Sequence, residues 1–241
     1  MHYVCSDIHG WFSKYKKLLR VIDLQADDHL YVIGDVIDRG PEPVPLLMDI
    51  LHRRNVHLLI GNHEHMMLNA LRDPSEMGLW YMNGGKVTCE QFEALCVPDQ
   101  NYIVSRLMEQ PLVIPDLIVD GRRYYLAHAA HALYPVKETL LYKDAGAANK
   151  HRILWSRELK NPNRQYLGYI YHDLFTAYEE KTTLLIGHNP VGRCSYGIVN
   201  KKGYGRISKT GSGHLINLDC GCAARAELGC LRLEDKREYY I

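Results

Sequence analysis

Five short apolar runs, widely separated along the chain, end in the same way. Tyr3 to Cys5 gives way to Ser6-Asp7-Ile8-His9-Gly10, and Leu30 to Ile33 gives way to Gly34-Asp35, with Asp38 and Arg39 just beyond. Val56 to Ile60 leads into Gly61-Asn62-His63, Tyr124 to Ala127 into His128, and Thr183 to Ile186 into Gly187-His188. The runs have the length and residue types of buried strands. A turn needs only one polar residue at such a place, yet these positions collect side chains that titrate, donate and ligate. In an open α/β sheet, ligands gather beyond the carboxyl ends of parallel strands. The pattern therefore predicts parallel neighbours that carry all five clusters to one rim. Gly10, Gly34, Gly40, Gly61 and Gly187 lie beside the clusters, where sharp turns need unusual φ values.

Between the runs, Tyr15, Leu18, Leu19 and Ile22 recur at i, i+3, i+4 and i+7, one face of an amphipathic helix. Leu47, Ile50, Leu51 and Arg54 follow Pro41, Pro43 and Pro45, which a first helical turn tolerates. From His65 to about Arg106 the pattern is mainly helical, broken at Asp73-Pro74 and Gly84-Gly85. It predicts a helical insertion over about residues 65–121, packed beside the sheet. HLINLD and LGCLRLE, near the end, read as strands. The order predicts a mixed α/β (α+β) architecture of stacked sheets with outer helices. With no repeat and no low-complexity linker, residues 1–241 are expected to form a single domain.

The net charge of +1 advertises no basic field for nucleic acid, and Lys201-Lys202 reads as a solvated loop. The seven cysteines lack zinc-ribbon spacing, Cys220-Gly221-Cys222 included, and read as reduced thiols, most of them buried. No segment approaches the ~18 apolar residues of a membrane span, and MHYVCSDIHG carries no signal-peptide pattern. The expectation is a cytoplasmic protein with neither membrane nor nucleic-acid partners.

The clusters themselves read as a metal centre. Asp7 and His9 stand at i and i+2, so both side chains can reach one cation from extended backbone. Carboxylates, imidazoles and one amide oxygen, without thiolate, suit Mn²⁺, Fe or Zn²⁺. The ligands are too many for one ion and enough for two, with Asp35 the natural bridge at a spacing of ~3.5–4 Å. Asp7 and His9 would complete one metal, and Asn62, His128 and His188 the other. Two divalent cations less the charges of Asp7 and Asp35 leave about +2, suited to a phosphate dianion, and water held between two cations is acidified toward a pKa of ~7. His63 is placed to protonate a leaving oxygen, Asp38 to hold its imidazolium, and Arg39 to grip phosphate oxygens. Glu64 reads as a helix-start residue favoured by the dipole, and His65 and His131 as structural. Trp80, Tyr166, Tyr169 and Tyr171 read as core or groove wall. Gly85-Lys86-Val87-Thr88 is no phosphate-binding loop, because Val87 stands where Ser or Thr must touch Mg²⁺.

SDIHG, GDVIDRGP, GNHE, a later HA and GHNPV, in this order, resemble the phosphoprotein phosphatase family of calcineurin-like metallophosphoesterases, and most of all its bacterial and phage, lambda phosphatase-like branch. Trp80 to Gly85 and the closing NLDCGC and LRLED extend the likeness over nearly the whole chain. The resemblance implies a β-sandwich flanked by helices in α/β/β/α layers, two divalent metal ions with manganese foremost (iron, zinc or nickel as alternatives), and a bridging Asp35. It implies His63 with Asp38 as the acid pair, and Arg39, Arg157 and Asn62 as contacts to substrate phosphate. The implied substrate is a phosphoprotein at Ser or Thr, with Tyr as a dual specificity, or a small phosphoester. A dinucleoside polyphosphate is the alternative on the same core, and a silent phosphate-binding module a weaker one. Two departures stand out: Ile60 precedes Gly61 where the family commonly has arginine, and Ser6 precedes Asp7 where it usually has glycine.

Overall fold

The computed structural model describes residues 1–157, 182–193, 205–209 and 213–241. The first three apolar runs become β1 (His2–Cys5), β2 (His29–Ile33) and β3 (Val56–Leu59), parallel and adjacent in that order. α1 (Phe12–Val21) joins the first pair and buries Tyr15 and Leu18, with buried Ile22 as its C-cap. α2 (Pro43–His52) joins the second, starts on a proline and buries Leu47, Ile50 and Leu51, whereas Arg54 lies past its end. α3 (Asn62–Arg72), α4 (Met77–Met82), α5 (Lys86–Glu93) and α6 (Val97–Met108) follow, interrupted at the two expected breaks and again between Glu93 and Val97.

The helical stretch stops at Met108, well short of residue 121. Pro111–Val119 is instead a strand, β4, antiparallel to β5 (Arg122–Ala127). LVIPDLIV has strand composition, but Pro115 argues against a central strand. The structure accommodates it at the register shift between Ile114 and Leu117, on a stretch that β6 (Leu140–Leu141) does not reach, since β6 pairs only with Pro111 and Val113. No ladder hydrogen bond is lost there. The remaining elements are α7 (Ala147–Trp155), β7 (Thr182–Ile186), β8 (Ser208–Lys209), β9 (Leu215–Asn217), β10 (Gly229–Arg232) and β11 (Glu238–Tyr240). Tyr166, Tyr169, Tyr171, Cys194, Lys201 and Lys202 lie outside the described residues.

Two mixed sheets result, β11-β10-β1-β2-β3 and β6-β4-β5-β7-β9-β8, flanked by helices. The five marked strands are therefore split, with β1, β2 and β3 parallel in one sheet and β5 and β7 parallel in the other. Side-chain alternation explains the stacking. Val4, Tyr31, Ile33 and Leu59 share one apolar cluster with Tyr124, Leu126, Leu185 and Ile216, and among the described residues no helical residue joins it. Their neighbours Cys5, Val32, Leu58, Tyr125 and Leu184 point the other way, into the cluster that holds Leu18, Leu47, Ile103 and Ile153 from the helices. Strands buried on both faces read as unbroken apolar runs. At about 1.5–3 kcal/mol for each fully buried Val, Leu or Ile, the inner layer fixes one sheet over the other. It thereby fixes the strand ends against each other. Among the described residues the cysteines are free thiols, and no helix is long and apolar enough to cross a membrane.

Candidate active site

Most of the expected site residues lie in turns after parallel strands, and those turns are left-handed. Asp7 (φ 54°), His9 (49°), Asp35 (54°), Asp38 (72°), Arg39 (67°) and His188 (64°) make up six of the ten non-glycine residues at positive φ among the described residues. Such conformations cost roughly 1–2 kcal/mol per residue and concentrate where side chains must be turned inward. Close approach is the second constraint. A Cβ on Gly61 would lie 2.3 Å from Asp35 Oδ1, and one on Gly34 (φ 73°) would lie 2.5 Å from Gly61 Cα. The ends of β2 and β3 meet backbone to backbone.

Asp7, His9, Asp35, Arg39, Asn62, His63, Arg157 and His188 line one hollow of about 330 Å³. Asp35 is only 2% exposed. Its Oδ1 lies 3.4 Å from His128 Nε2, while its Oδ2 lies 3.7 Å from His9 Nε2 and 3.8 Å from His63 Nε2. Two donor groups thus share this one carboxylate, His9 and His63 in one, His128 and His188 in the other. Asn62 Oδ1 joins the second group, 2.9 Å from both His128 Nε2 and His188 Nδ1. Asp7 is held nearby, its carboxylate accepting from the His188 backbone N–H.

The ring orientations suit cations. His9 and His128 donate from Nδ1 to the carbonyls of Ile37 and Ile33, which turns each Nε2 toward its donor group. In the second group a proton on His128 Nε2 bridges to Asn62 Oδ1 and Asp35 Oδ1, the place a cation would take. Arg39 brings positive charge to the first group, with Nη1 3.1 Å from His9 Nε2 and Nη2 2.8 Å from His63 Nε2. No thiol belongs to either group, and the oxygen and nitrogen set suits Mn²⁺, Fe or Zn²⁺.

The protein groups alone are in electrostatic conflict. Burial, then Asp219 and Asp35, holds Asp7 well above the usual carboxylate range, and burial with Asp35 pushes Asp219 up to about 6. Burial opposes charge on His128, but Asp35 outweighs it and raises the ring to about 10. Burial and then His128 depress His188 to about 2. Divalent cations among these ligands would offset both the carboxylate crowding and the imidazole competition.

His63 turns Nδ1 to Asp38 Oδ2 at 2.6 Å. Asp38 is fully buried and saturated, since Trp80 Nε1 donates to both of its oxygens at 2.9 and 3.1 Å and Thr88 Oγ1 donates to Oδ1 at 2.5 Å. Trp80 is core, as its type suggested, but it also orients Asp38. Thr88 does the same from a segment that made sense only as a failed phosphate loop. Glu64 exceeds a simple helix-start role: buried, it accepts N–H bonds from Gly61, Asp35, Val36 and Ile37, so one carboxylate ties the β2 turn to the start of α3. Arg157 is exposed and donates to Asn189 Oδ1 at 3.1 Å. Ile60 is fully buried and points no cation at the hollow, leaving Arg39 and Arg157 as its lining arginines among the described residues.

His65 and His131 lie outside the donor groups, bonded to the Tyr142 hydroxyl and the Ala132 carbonyl. Asp219 was missed. It follows β9, is 3% exposed and lines the hollow. LINLDCG repeats the apolar run, acid and glycine of the other strand ends, and that punctuation was the available signal.

Comparison with known proteins agrees with this geometry. The calcineurin-like phosphoesterase family profile matches residues 3–209. Serine/threonine-protein phosphatase 1 of Salmonella typhimurium is 36% identical over 165 residues, 65% of this chain and 68% of that protein. A symmetrical bis(5'-nucleosyl)-tetraphosphatase of Wigglesworthia glossinidia brevipalpis is 34% identical over 116 residues, 46% of this chain but only 39% of that protein. A serine/threonine phosphatase structure from Saccharomyces cerevisiae superposes with a TM-score of 0.56 at 15% identity, covering 100% of this chain and 78% of that one, a likeness of fold alone. With the family profile spanning most of its length, the chain belongs to the calcineurin-like phosphoesterase family and is a phosphoester hydrolase.

Proposed function

We propose that the chain is a phosphomonoesterase acting on phosphoserine and phosphothreonine in proteins, working as one domain in the cytoplasm. It would depend on two divalent cations, manganese first among them. The observation that carries this reading is the position of Asp35, whose two oxygens face two separate donor groups. Asp7, His9 and Asp35 would hold one cation, and Asp35, Asn62, His128 and His188 the other. When bound, such a pair supplies Lewis acidity to phosphate oxygens and lowers the pKa of water.

The chain's own residues do the rest. Arg39 and Arg157 converge on the hollow and would orient the phosphate, with the Asn62 amide beside them. His63 Nε2 lies on the side of the ring away from Asp38 and would give its proton to the departing serine or threonine oxygen, so that water adds to phosphorus and an alcohol leaves. Arg39 Nη2 and His63 Nε2 are 2.8 Å apart, so one phosphate oxygen beside the pair could accept from both.

A second reading, hydrolysis of a dinucleoside tetraphosphate, has support in relatives that carry that name. The greater share of the Salmonella phosphatase that is matched favours the first. The test is a manganese-supplemented turnover panel of p-nitrophenyl phosphate, phosphoserine and phosphotyrosine peptides, and diadenosine tetraphosphate. Phosphoserine peptide turnover abolished by EDTA is expected. Symmetrical cleavage of the dinucleotide without peptide turnover would replace the first reading with the second.

A further inference from the structure

A second and larger groove, of about 770 Å³, adjoins the hollow and shares Trp155 with it. His65 and Arg72 lie at i and i+7 on one face of α3, the helix that begins with Asn62 and His63. Lys150 and His151 belong to α7, which ends at Trp155. Among the described residues no Asp or Glu lines the groove. Among the described residues neither Arg72 nor Lys150 has a carboxylate within ion-pair distance. Lys150 lies over the Tyr142 ring, Nζ 4.0 Å from its centroid. Burial, then Arg72, holds the Lys150 ammonium below its usual range, the mark of a cation without a counter-ion.

We propose that this groove binds an acidic or phosphorylated side chain of a peptide substrate whose scissile phosphoserine occupies the adjacent hollow. The inference rests on the protein-phosphatase reading given above. Arg72 follows His63 by nine helical residues, and Lys150 precedes Trp155 by five. At 1.5 Å per residue, the two cations lie roughly 7–14 Å along their helices from the hollow. An extended peptide rises ~3.3–3.6 Å per residue, so the anionic side chain belongs about two to four residues from the scissile phosphate. A dinucleoside tetraphosphate fits less well. Its phosphates are contiguous, and a neutral nucleoside would lie where the free cations are.

The experiment compares phosphoserine peptides that carry glutamate, phosphoserine or alanine two, three or four residues from the scissile position, on either side. The enzymes are the wild type and the Arg72→Glu/Lys150→Glu double variant, with p-nitrophenyl phosphate as the reference substrate. The wild type should prefer the anionic peptides by roughly 2- to 30-fold in kcat/KM, the effect of two ion pairs at the protein surface, with the change in KM. The double variant should lose that preference and keep its p-nitrophenyl phosphate kinetics, which also reports that it folds. Equal kcat/KM for acidic and neutral peptides in the wild type, or a preference that survives charge reversal, would overturn the proposal. A fluorescent, unphosphorylated glutamate-rich peptide supplies an arm independent of turnover. Binding lost in the double variant, with no peptide hydrolysed by either enzyme, would sink the protein-phosphatase reading and leave the anion-binding groove standing. A rise in KM for diadenosine tetraphosphate alone would assign the groove to nucleotides and refute the peptide.

Discussion

Glu64→Gln is the sharpest probe of how the site is held. Glu64 Oε2 accepts from the backbone N–H groups of Asp35 and Gly61, both at 2.9 Å, and Oε1 accepts from Val36 at 2.8 Å and Ile37 at 3.2 Å. The side chain is fully buried. A glutamine keeps one accepting oxygen, so two of the four donors would face an amide N–H₂ instead. A buried donor left without an acceptor costs about 1–3 kcal/mol, which gives about 2–6 kcal/mol for the pair. For a chain of this size roughly 2–4 °C of Tm accompanies each kcal/mol, so a fall of about 5–20 °C is expected in thermal unfolding with EDTA present. The same turn carries Asp35 at φ 54°, so manganese affinity, read by calorimetric titration, should fall as well. A Glu64→Gln protein that unfolds within about 1 kcal/mol of wild type and binds manganese unchanged would refute the account, because the four bonds would then be incidental to both fold and site.

Other perturbations separate the roles more finely. His63→Asn should keep both metals yet lower kcat by roughly 10²–10⁴-fold, with a larger loss on alkyl phosphates than on p-nitrophenyl phosphate; equal losses would remove His63 as the acid. Asp35→Asn should weaken both cations together, and a protein that keeps two full equivalents of manganese by elemental analysis would contradict the bridge. Trp80→Phe removes the indole N–H from Asp38 and keeps the ring, so kcat should fall with little change in metal content, and an unchanged kcat would make Trp80 core alone. In EDTA, stability should fall as pH rises from about 6.5, by up to about 1.4 kcal/mol per pH unit. His128 is held at about 10, above its unfolded value, so its contribution is complete below the unfolded pKa and is lost as pH rises toward the folded one. Denaturant titrations between pH 6.5 and 9 that show no decline would count against that ring's pairing with Asp35.

What could be read from the chain and what could not divide along a physical line. Strand ends are legible because apolar runs and glycine punctuation are local, and the polar side chains of those ends meet in one hollow, with His128 against its wall. The partners of Asp38 are not local. Trp80 is 42 residues away and Thr88 is 50, and nothing in either neighbourhood marks an indole or hydroxyl as bound for a carboxylate. Glu64 reads as a helix-start residue because it is one, bonded to the Gly61 N–H, and its three further bonds depend on how β2 lies beside β3. β4 was hidden by Pro115, whose effect depends on whether a partner strand reaches it. Asp219 carried the right punctuation after a strand of only three residues, too short to register as a run.

Asp219 also changes the charge balance of the site. With Asp7 and Asp35 alone, two divalent cations would leave about +2; a third buried carboxylate leaves about +1. Arg39 and Arg157 restore the surplus from the open side of the hollow, where a phosphate would enter. Charge that balances the cations is thus buried, and charge that meets the phosphate is exposed. The same division applies to strain. Six left-handed residues at roughly 1–2 kcal/mol each approach the whole stability of an ordinary domain, about 5–15 kcal/mol. The turns cannot persist on their own hydrogen bonds. They persist because the apolar layer between the sheets fixes three strand ends against two others, and because Glu64 and Gly61 leave the β2 turn no room to relax. Cation binding should therefore tighten the junction between the sheets without adding secondary structure, so near-ultraviolet circular dichroism should respond to manganese while the far-ultraviolet spectrum stays constant.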